Sequence, residues 1–167
     1  MKKNFYSAIA LLLLFMSQSC STVNITSNKQ QDYHKQLKKI YIVINYEKGT
    51  STFCNGLLNG LKNKLKEKGV QVESRSRDQL SLETEDELAK RVDAFNPEAV
   101  LMIQQTLTGG ESQSTFELTL IDKETKKRVW KALFDITADS YSSIQDDGAI
   151  NKSVKAILEK LTQDKII

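Results

Sequence analysis

The two cysteines are the residues of this chain with the most distinctive side-chain chemistry. Cys20 follows a basic start, an unbroken apolar run over Ala8–Met16 and three polar residues. This layout is typical of a bacterial secretory signal with a cysteine at its cleavage point. The run is shorter than the roughly 20 apolar residues that a membrane-spanning helix needs. We therefore predict that residues 1–19 are a signal peptide, and that Cys20 accepts a diacylglycerol thioether once they are removed.

Residues 1–20 resemble the signal of bacterial lipoproteins. The resemblance implies a periplasm-facing protein held to a membrane by acyl chains, in which each buried methylene contributes about 0.8 kcal/mol of membrane affinity. Ser17 stands where the common form of that signal has an aliphatic residue, so an ordinary secretory signal with a nearby cysteine is the alternative. By analogy with sorting in enteric bacteria, Ser21 rather than aspartate after the lipidated cysteine favours the outer membrane over the inner.

The second candidate nucleophile is Cys54. It shares a helix face with several leucines, which predicts a buried, small apolar residue. A reactive thiol near a helix N-terminus is the alternative, since the helix dipole lowers a thiol pKa. The single histidine, His34, is predicted to be solvated, so it offers no catalytic partner. With Cys20 acylated, no intrachain disulfide is expected, and no Cys-rich or His-rich cluster predicts a transition-metal site.

An acidic cluster and a glycine-containing loop also suggest chemistry at first sight. The carboxylates of Glu83, Glu85, Asp86 and Glu87 could be metal ligands or an acid–base pair, but acids in a first helical turn also complement the helix dipole. The segment Gly49–Thr52 could hold a phosphate at a helix N-terminus. Neither GxxxxGK[ST] nor GxGxxG occurs, so we interpret this loop as a helix cap made by Ser51 or Thr52. The sequence predicts no cofactor, no metal and no catalytic residue.

Charge and length limit the function further. The 24 basic residues fall to 22 without Lys2 and Lys3 of the leader, against 21 acidic ones, so the net charge falls from +3 to +1. A nearly neutral domain has no electrostatic reason to bind nucleic acid. The remaining chain is long enough to bury the core of one domain.

Hydrophobic periodicity predicts eight elements behind a flexible tether over residues 20–37. Continuous apolar runs predict central strands, period-two alternation predicts a hairpin, and 3.6-residue stripes predict helices. The predicted strands cover 38–47, 70–77, 99–105, 114–121 and 129–136, and the predicted helices cover 53–68, 84–95 and about 149–163. A single α/β domain over 38–167 follows, with a mixed sheet of about five strands and three packed helices. Right-handed crossovers place the second and third strands on either side of the first, and the hairpin extends the sheet.

A second resemblance concerns packing residues and turns over most of residues 38–161. The phrases Phe95–Leu101, Leu120–Thr125 and Val129–Ala132 look like α/β envelope accessory lipoproteins. Those families include penicillin-binding-protein activators, the curli-secretion lipoprotein and the amino-terminal domain of TolB. Lys126 stands where their hairpin usually has glycine. The resemblance implies a non-catalytic binding role and transfers no functional residue.

Three functional hypotheses remain. The first is a lipid-anchored, non-enzymatic accessory module that binds another envelope protein and no nucleic acid. The second is a small-ligand-binding or enzymatic site at the carboxyl ends of the parallel strands, with a rim over Gly49–Thr52, Arg75–Asp78 and Gln104–Gly110. The third is homo-oligomeric assembly, which ranks lower because the chain has no spare amphipathic stretch to insert into a membrane.

Overall fold

The computed structural model describes residues 21–167, and the predicted signal peptide and Cys20 lie outside these residues. In chain order the elements are β1 (Thr22–Lys29), β2 (Lys39–Tyr46), a 3-10 turn (Lys48–Thr50), α1 (Ser51–Glu67), β3 (Gln71–Asp78), α2 (Glu85–Phe95), β4 (Ala99–Thr108), β5 (Gln113–Asp122), β6 (Arg128–Thr137) and α3 (Asp147–Gln163).

The six strands form one mixed sheet in the order β1-β6-β5-β4-β2-β3. β2 runs parallel to both β3 and β4, whereas the β4–β5, β5–β6 and β6–β1 pairs are antiparallel. The α/β class and the predicted arrangement of five strands are confirmed. The sixth strand, β1, is the difference from the prediction.

The prediction of a flexible tether over residues 20–37 is wrong for most of that segment. β1 pairs with β6 along its whole length, from Thr22 opposite Thr137 to Lys29 opposite Trp130. Val23 and Ile25 pack against the core, while Thr22, Asn24 and Thr26, which alternate with them, are exposed. Farther on, the fully buried Leu37 donates its N–H to the Ile166 carbonyl at 2.8 Å. Two inward apolar residues are enough for an edge strand, so the described chain is part of the fold from its first residues onwards.

The main core lies on the sheet face covered by α1 and α3. Phe116 stacks between Phe53 and Phe134, with ring centroids 5.6 and 5.9 Å apart. The two helices approach closely because α1 presents glycines to α3. A Cβ at Gly56 would lie 2.8 Å from Ile150 Cδ1, and one at Gly60 would lie 2.5 Å from Val154 Cγ2.

A smaller core lies on the opposite face, under α2. Leu88 and Val92 of α2 pack on Tyr41 and Val43 of β2, with Phe95, Val100 and Met102 at the margin. The alternation of β2 sends its even-numbered isoleucines to the main core and Tyr41 and Val43 to this one. Both faces of the central strand are therefore apolar, as the sequence predicts.

The ends of the elements follow local chemistry. Thr84 and Glu87 form the predicted capping box, in which Thr84 Oγ1 accepts from Glu87 N at 3.2 Å and Glu87 Oε2 accepts from Thr84 N at 2.9 Å. The predicted cap of α1 is wrong: the N-cap is Thr50, the last residue of the 3-10 turn, and it makes no side-chain capping bond. Lys126 adopts a φ of 60° in the β5–β6 hairpin, which explains why glycine suits that position.

Candidate functional site

The carboxyl ends of the parallel strands form a polar cleft of about 380 Å³. Asn45 near the end of β2 is the register partner of both Arg77 and Gln104, so the three strands bring polar side chains to one level. The cleft is lined by Asn45, Tyr46, Glu47, Arg77, Asp78, Gln79, Ser81, Glu85, Gln104 and Gln105. Two of the three predicted rim segments therefore meet. Gly49–Thr52 does not line the cleft, because it enters the 3-10 turn and the first turn of α1.

Gln105, which lines this cleft, is the centre of a buried hydrogen-bond network. Gln105 Oε1 accepts the Glu47 N–H at 2.8 Å and lies 2.8 Å from Thr50 Oγ1, while Gln105 Nε2 donates to Ser114 Oγ at 3.0 Å. These bonds occupy both ends of the Gln105 amide. The residue therefore holds the loop after β2 to β4 and β5, and it is not free to bind a ligand.

Cys54 belongs to the same buried region. Its side chain is fully buried, and its Sγ lies 3.8 Å from Thr50 Oγ1. Burial raises the pKa of the Cys54 thiol to about 12, against the smaller lowering effect of the Thr50 hydrogen bond. The thiol is thus protonated at neutral pH, and the predicted burial of Cys54 is confirmed.

The acidic cluster is used for structure. Glu83, whose side chain is 6% exposed, accepts from Arg75 Nε at 3.0 Å and from Arg91 Nε at 2.9 Å. Arg77 donates to the Glu83 carbonyl at 3.1 Å and to Glu85 Oε1 at 2.8 Å. Among residues 21–167, no three His, Cys, Asp or Glu side chains are arranged to hold a metal ion.

Sequence reasoning missed this arginine–glutamate network. It treated Glu83 as one of several first-turn acids, although it precedes the cap of α2. The available signal was the spacing of Arg75 and Arg77, which share one face of β3. Arg91 was harder to connect, since its contact depends on how α2 packs.

A second depression of about 970 Å³ lies between α1 and α3. Its floor contains Gly60, Val154 and Leu158, and the last two are 5% and 7% exposed. The rim is charged and paired within each helix, as in the contact of Lys64 with Glu67 at 2.8 Å. This is a shallow groove over a closed core.

Trp130 is buried, and His34 is exposed as the sequence predicts. Trp130 is in the core, and its Nε1 donates to Asp164 Oδ2 at 2.6 Å, an oxygen that also accepts from Ser27 Oγ at 2.5 Å. Burial alone would raise the pKa of Asp164, but the bonds from Ser27 and Trp130 and the charge of Lys160 outweigh it and hold that pKa below its usual value. His34 is exposed between β1 and β2.

None of the helices between residues 21 and 167 combines the length and the apolar character that a membrane span requires.

Two sets of solved structures share this fold. PelC from Paraburkholderia phytofirmans, solved as a dodecamer, is 19% identical and superposes with a TM-score of 0.51 over 81% of this chain and 95% of PelC. A point variant of that PelC gives 21% identity and a TM-score of 0.50. The lipoprotein GNA1162 from Neisseria meningitidis is 19% identical, with a TM-score of 0.50 over 75% of this chain and 96% of that one.

At these identities the likeness shows the fold alone. No family model matches the chain, and no curated protein matches it by sequence. The chain thus has the fold of PelC and of GNA1162.

Proposed function

We propose that the protein is a lipoprotein of the bacterial envelope, anchored through Cys20, whose α/β domain is a non-catalytic accessory module that binds other envelope proteins. One observation carries the proposal: the lipoprotein-type signal ends directly before a domain that has the fold of the lipoprotein GNA1162. The domain faces the periplasm, and Ser21 favours the outer membrane over the inner.

The side chains of the described residues support a binding role. The thiol of Cys54 is buried and protonated, the Glu83 carboxylate is bonded by arginines, and both ends of the Gln105 amide are occupied. Each of these three side chains is committed to packing or to an internal bond. A rigid scaffold with exposed surfaces is what a binding module requires.

The anchor is tested by labelling cells with an alkyne analogue of palmitate. The full-length protein should incorporate the label and partition into the detergent phase of Triton X-114, whereas Cys20→Ala should do neither. Cys54→Ala is the matched control, because it removes the other thiol and should leave labelling unchanged. Equal labelling of the wild type and Cys20→Ala would overturn the anchor.

The accessory role is tested by crosslinking the tagged full-length protein in its native envelope, followed by mass spectrometry. We expect one envelope protein to be enriched with the wild type and lost with Cys20→Ala at equal expression. If the Cys20→Ala protein stays with membranes in the same amount and nothing is captured, both the anchor and the partner are wrong.

A small-ligand site is the second candidate, favoured by the cleft in which Asn45, Arg77 and Gln104 meet. Mass spectrometry of the protein purified under native conditions should then detect a co-purifying polar molecule. Asn45→Ala should release it, whereas Asn28→Ala, on the exposed side of β1, should not. An empty protein would count against this candidate.

Self-assembly is a further alternative, because PelC was solved as a dodecamer. The mass of the detergent-solubilised protein, measured by light scattering with correction for detergent, distinguishes a ring from a monomer. A constitutive ring should give a multiple of the chain mass at every concentration. A monomer would exclude such a ring and leave the accessory module.

A further inference from the structure

The lipid-bearing residue is separated from the folded domain by a single peptide bond. Ser21 follows Cys20 directly, and β1 is paired with β6 from Thr22 onwards. The ammonium group of Lys152, on α3, donates a hydrogen bond to the Ser21 carbonyl oxygen. Because consecutive Cα atoms are about 3.8 Å apart, an acyl group on Cys20 must lie close to this end of β1.

This end of β1 belongs to a defined edge of the sheet. Thr22 pairs with Thr137, the last residue of β6, and β6 runs in the same direction as β2, β3 and β4. The anchor therefore leaves the domain at the carboxyl edge, the edge that also contains the loops after β2, β3, β4 and β6.

Exposed apolar side chains are concentrated at the same edge. Among residues 21–167, five large apolar side chains are exposed. Three of them, Leu80 (70% exposed), Leu107 (49%) and Tyr141 (100%), lie after β3, at the end of β4 and after β6. Of the other two, Leu82 lies farther along the loop that contains Leu80, beside Arg75 and Lys90, and Leu133 lies within the sheet.

The opposite, amino edge has a different character. Its β5–β6 hairpin contains Lys123, Lys126, Lys127 and Arg128, and none of the five exposed apolar side chains lies there. The carboxyl edge thus combines exposed apolar side chains with the proposed anchor point, whereas the amino edge is strongly basic and polar.

We propose that the carboxyl edge, defined by the loops that contain Leu80, Leu107 and Tyr141, is the surface through which the domain contacts the lipid headgroup layer. The proposal rests on the acylation of Cys20 proposed above. The headgroup layer of one leaflet is about 5–7 Å thick, which is comparable with the reach of one residue. A domain joined to the acylated residue by one peptide bond therefore places its carboxyl edge against the headgroup layer. Tyrosine suits this depth because its ring is apolar and its hydroxyl is polar.

This orientation has a consequence for binding. The cleft at the carboxyl edge faces the headgroups and is closed to large partners. The α1–α3 groove and the uncovered face of β5, β6 and β1 point sideways and remain open to proteins. Acidic side chains at the same edge, such as Asp78 and Asp147, predict closer contact with zwitterionic than with anionic lipids.

The test uses the full-length acylated protein reconstituted into phosphatidylcholine vesicles. Leu80→Cys and Tyr141→Cys are labelled with an environment-sensitive fluorophore, and Glu124→Cys and Lys68→Cys are matched exposed controls at the amino edge. The buried Cys54 and the acylated Cys20 leave the introduced thiol as the reactive one. Nitroxide-bearing lipids should quench the probes at 80 and 141 several-fold more than those at 124 and 68.

A second variant separates the orientation from the anchor. Ten Gly and Ser residues inserted between Cys20 and Ser21 give the linker a reach of about 16–19 Å. This variant should remain vesicle-bound, but quenching at 80 and 141 should fall to the level of the controls. Equal quenching at both edges in a vesicle-bound wild type would overturn the orientation alone. Failure of the wild type to carry an acyl group would overturn the anchor and the orientation together.

Discussion

One face of the sheet is covered by α1 and α3, whereas α2 covers only part of the other. The first face buries aromatic rings, including Trp130 and Phe116. The second buries a small cluster around Tyr41 and Val43, and it is braced by the ion pairs of Glu83. Beyond α2, the second face exposes Leu133 and polar side chains. The contrast indicates that most of the stability comes from the first face and that the uncovered part of the second is available to a partner.

The largest expected effect comes from leucine truncation in the two cores. Leu118→Ala in the main core should lower the free energy of unfolding by about 3–5 kcal/mol, because the cavity is fully enclosed. Leu88→Ala under α2 should cost about 2 kcal/mol, since a cavity near the surface can relax. Urea denaturation measures both. Equal losses would show that the two cores contribute alike.

The next effect concerns Asp164, which links β1, β6 and α3 on the first face. Asp164→Asn should cost about 1.5–3 kcal/mol at neutral pH, because hydrogen bonds to a charged acceptor are lost. Since the folded-state pKa is lowered, the contribution of Asp164 is complete above the unfolded pKa of about 3.9 and is lost as the pH falls below it.

The difference between wild type and Asp164→Asn should therefore shrink in acid. Urea denaturation at several pH values between neutral and about 3 measures it. Asp32→Asn, at an exposed position, is the matched control for the substitution itself. A pH-independent difference would mean that the carboxylate charge does not contribute.

A smaller effect is expected for the ion pairs that brace the second face. Glu83→Gln should lower the free energy of unfolding by about 1–2 kcal/mol, because Arg75 and Arg91 are themselves largely exposed and screened. The difference should decrease in 1 M salt, as expected for partly exposed charges. Glu73→Gln, at an exposed position on β3, is the comparison. A loss as large as that of Leu118→Ala would make this network a principal element of the fold.

The smallest effect is expected on the uncovered part of the second face. Leu133→Thr should change the free energy of unfolding by less than about 0.5 kcal/mol, because the side chain is half exposed and threonine suits a strand. If this face binds the partner, crosslinking in the envelope should fall with Leu133→Thr and persist with Leu82→Thr. A marked loss of stability would contradict the half-exposed position of Leu133.

The sequence predicted the elements whose periodicity is strong. The two-sided apolar runs of β2 and β4, the alternation of β5 and β6 and the capping box of Thr84 led to the correct arrangement of five strands. β1 was missed because its inward positions are Val23, Ile25 and then polar Ser27, a weak signal typical of an edge strand. Its partner β6 lies about 100 residues away, so local patterns could not reveal the pairing.

The site was less predictable than the fold. The cleft follows from strand topology, and two of its rim segments were expected. The roles of Gln105 and Glu83 depend on contacts across the fold, between residues far apart in sequence. The position of the proposed anchor relative to the domain depends on β1, because a flexible tether over residues 20–37 would have left it undefined.

The most direct test of the account is the intact mass of the full-length protein purified from membranes. We expect a chain that begins at Cys20 and carries the added mass of a diacylglycerol and an N-linked acyl chain, with the anchor absent in Cys20→Ala. A chain that begins elsewhere, or an unmodified Cys20, would contradict the anchor and the orientation of the domain that rests on it.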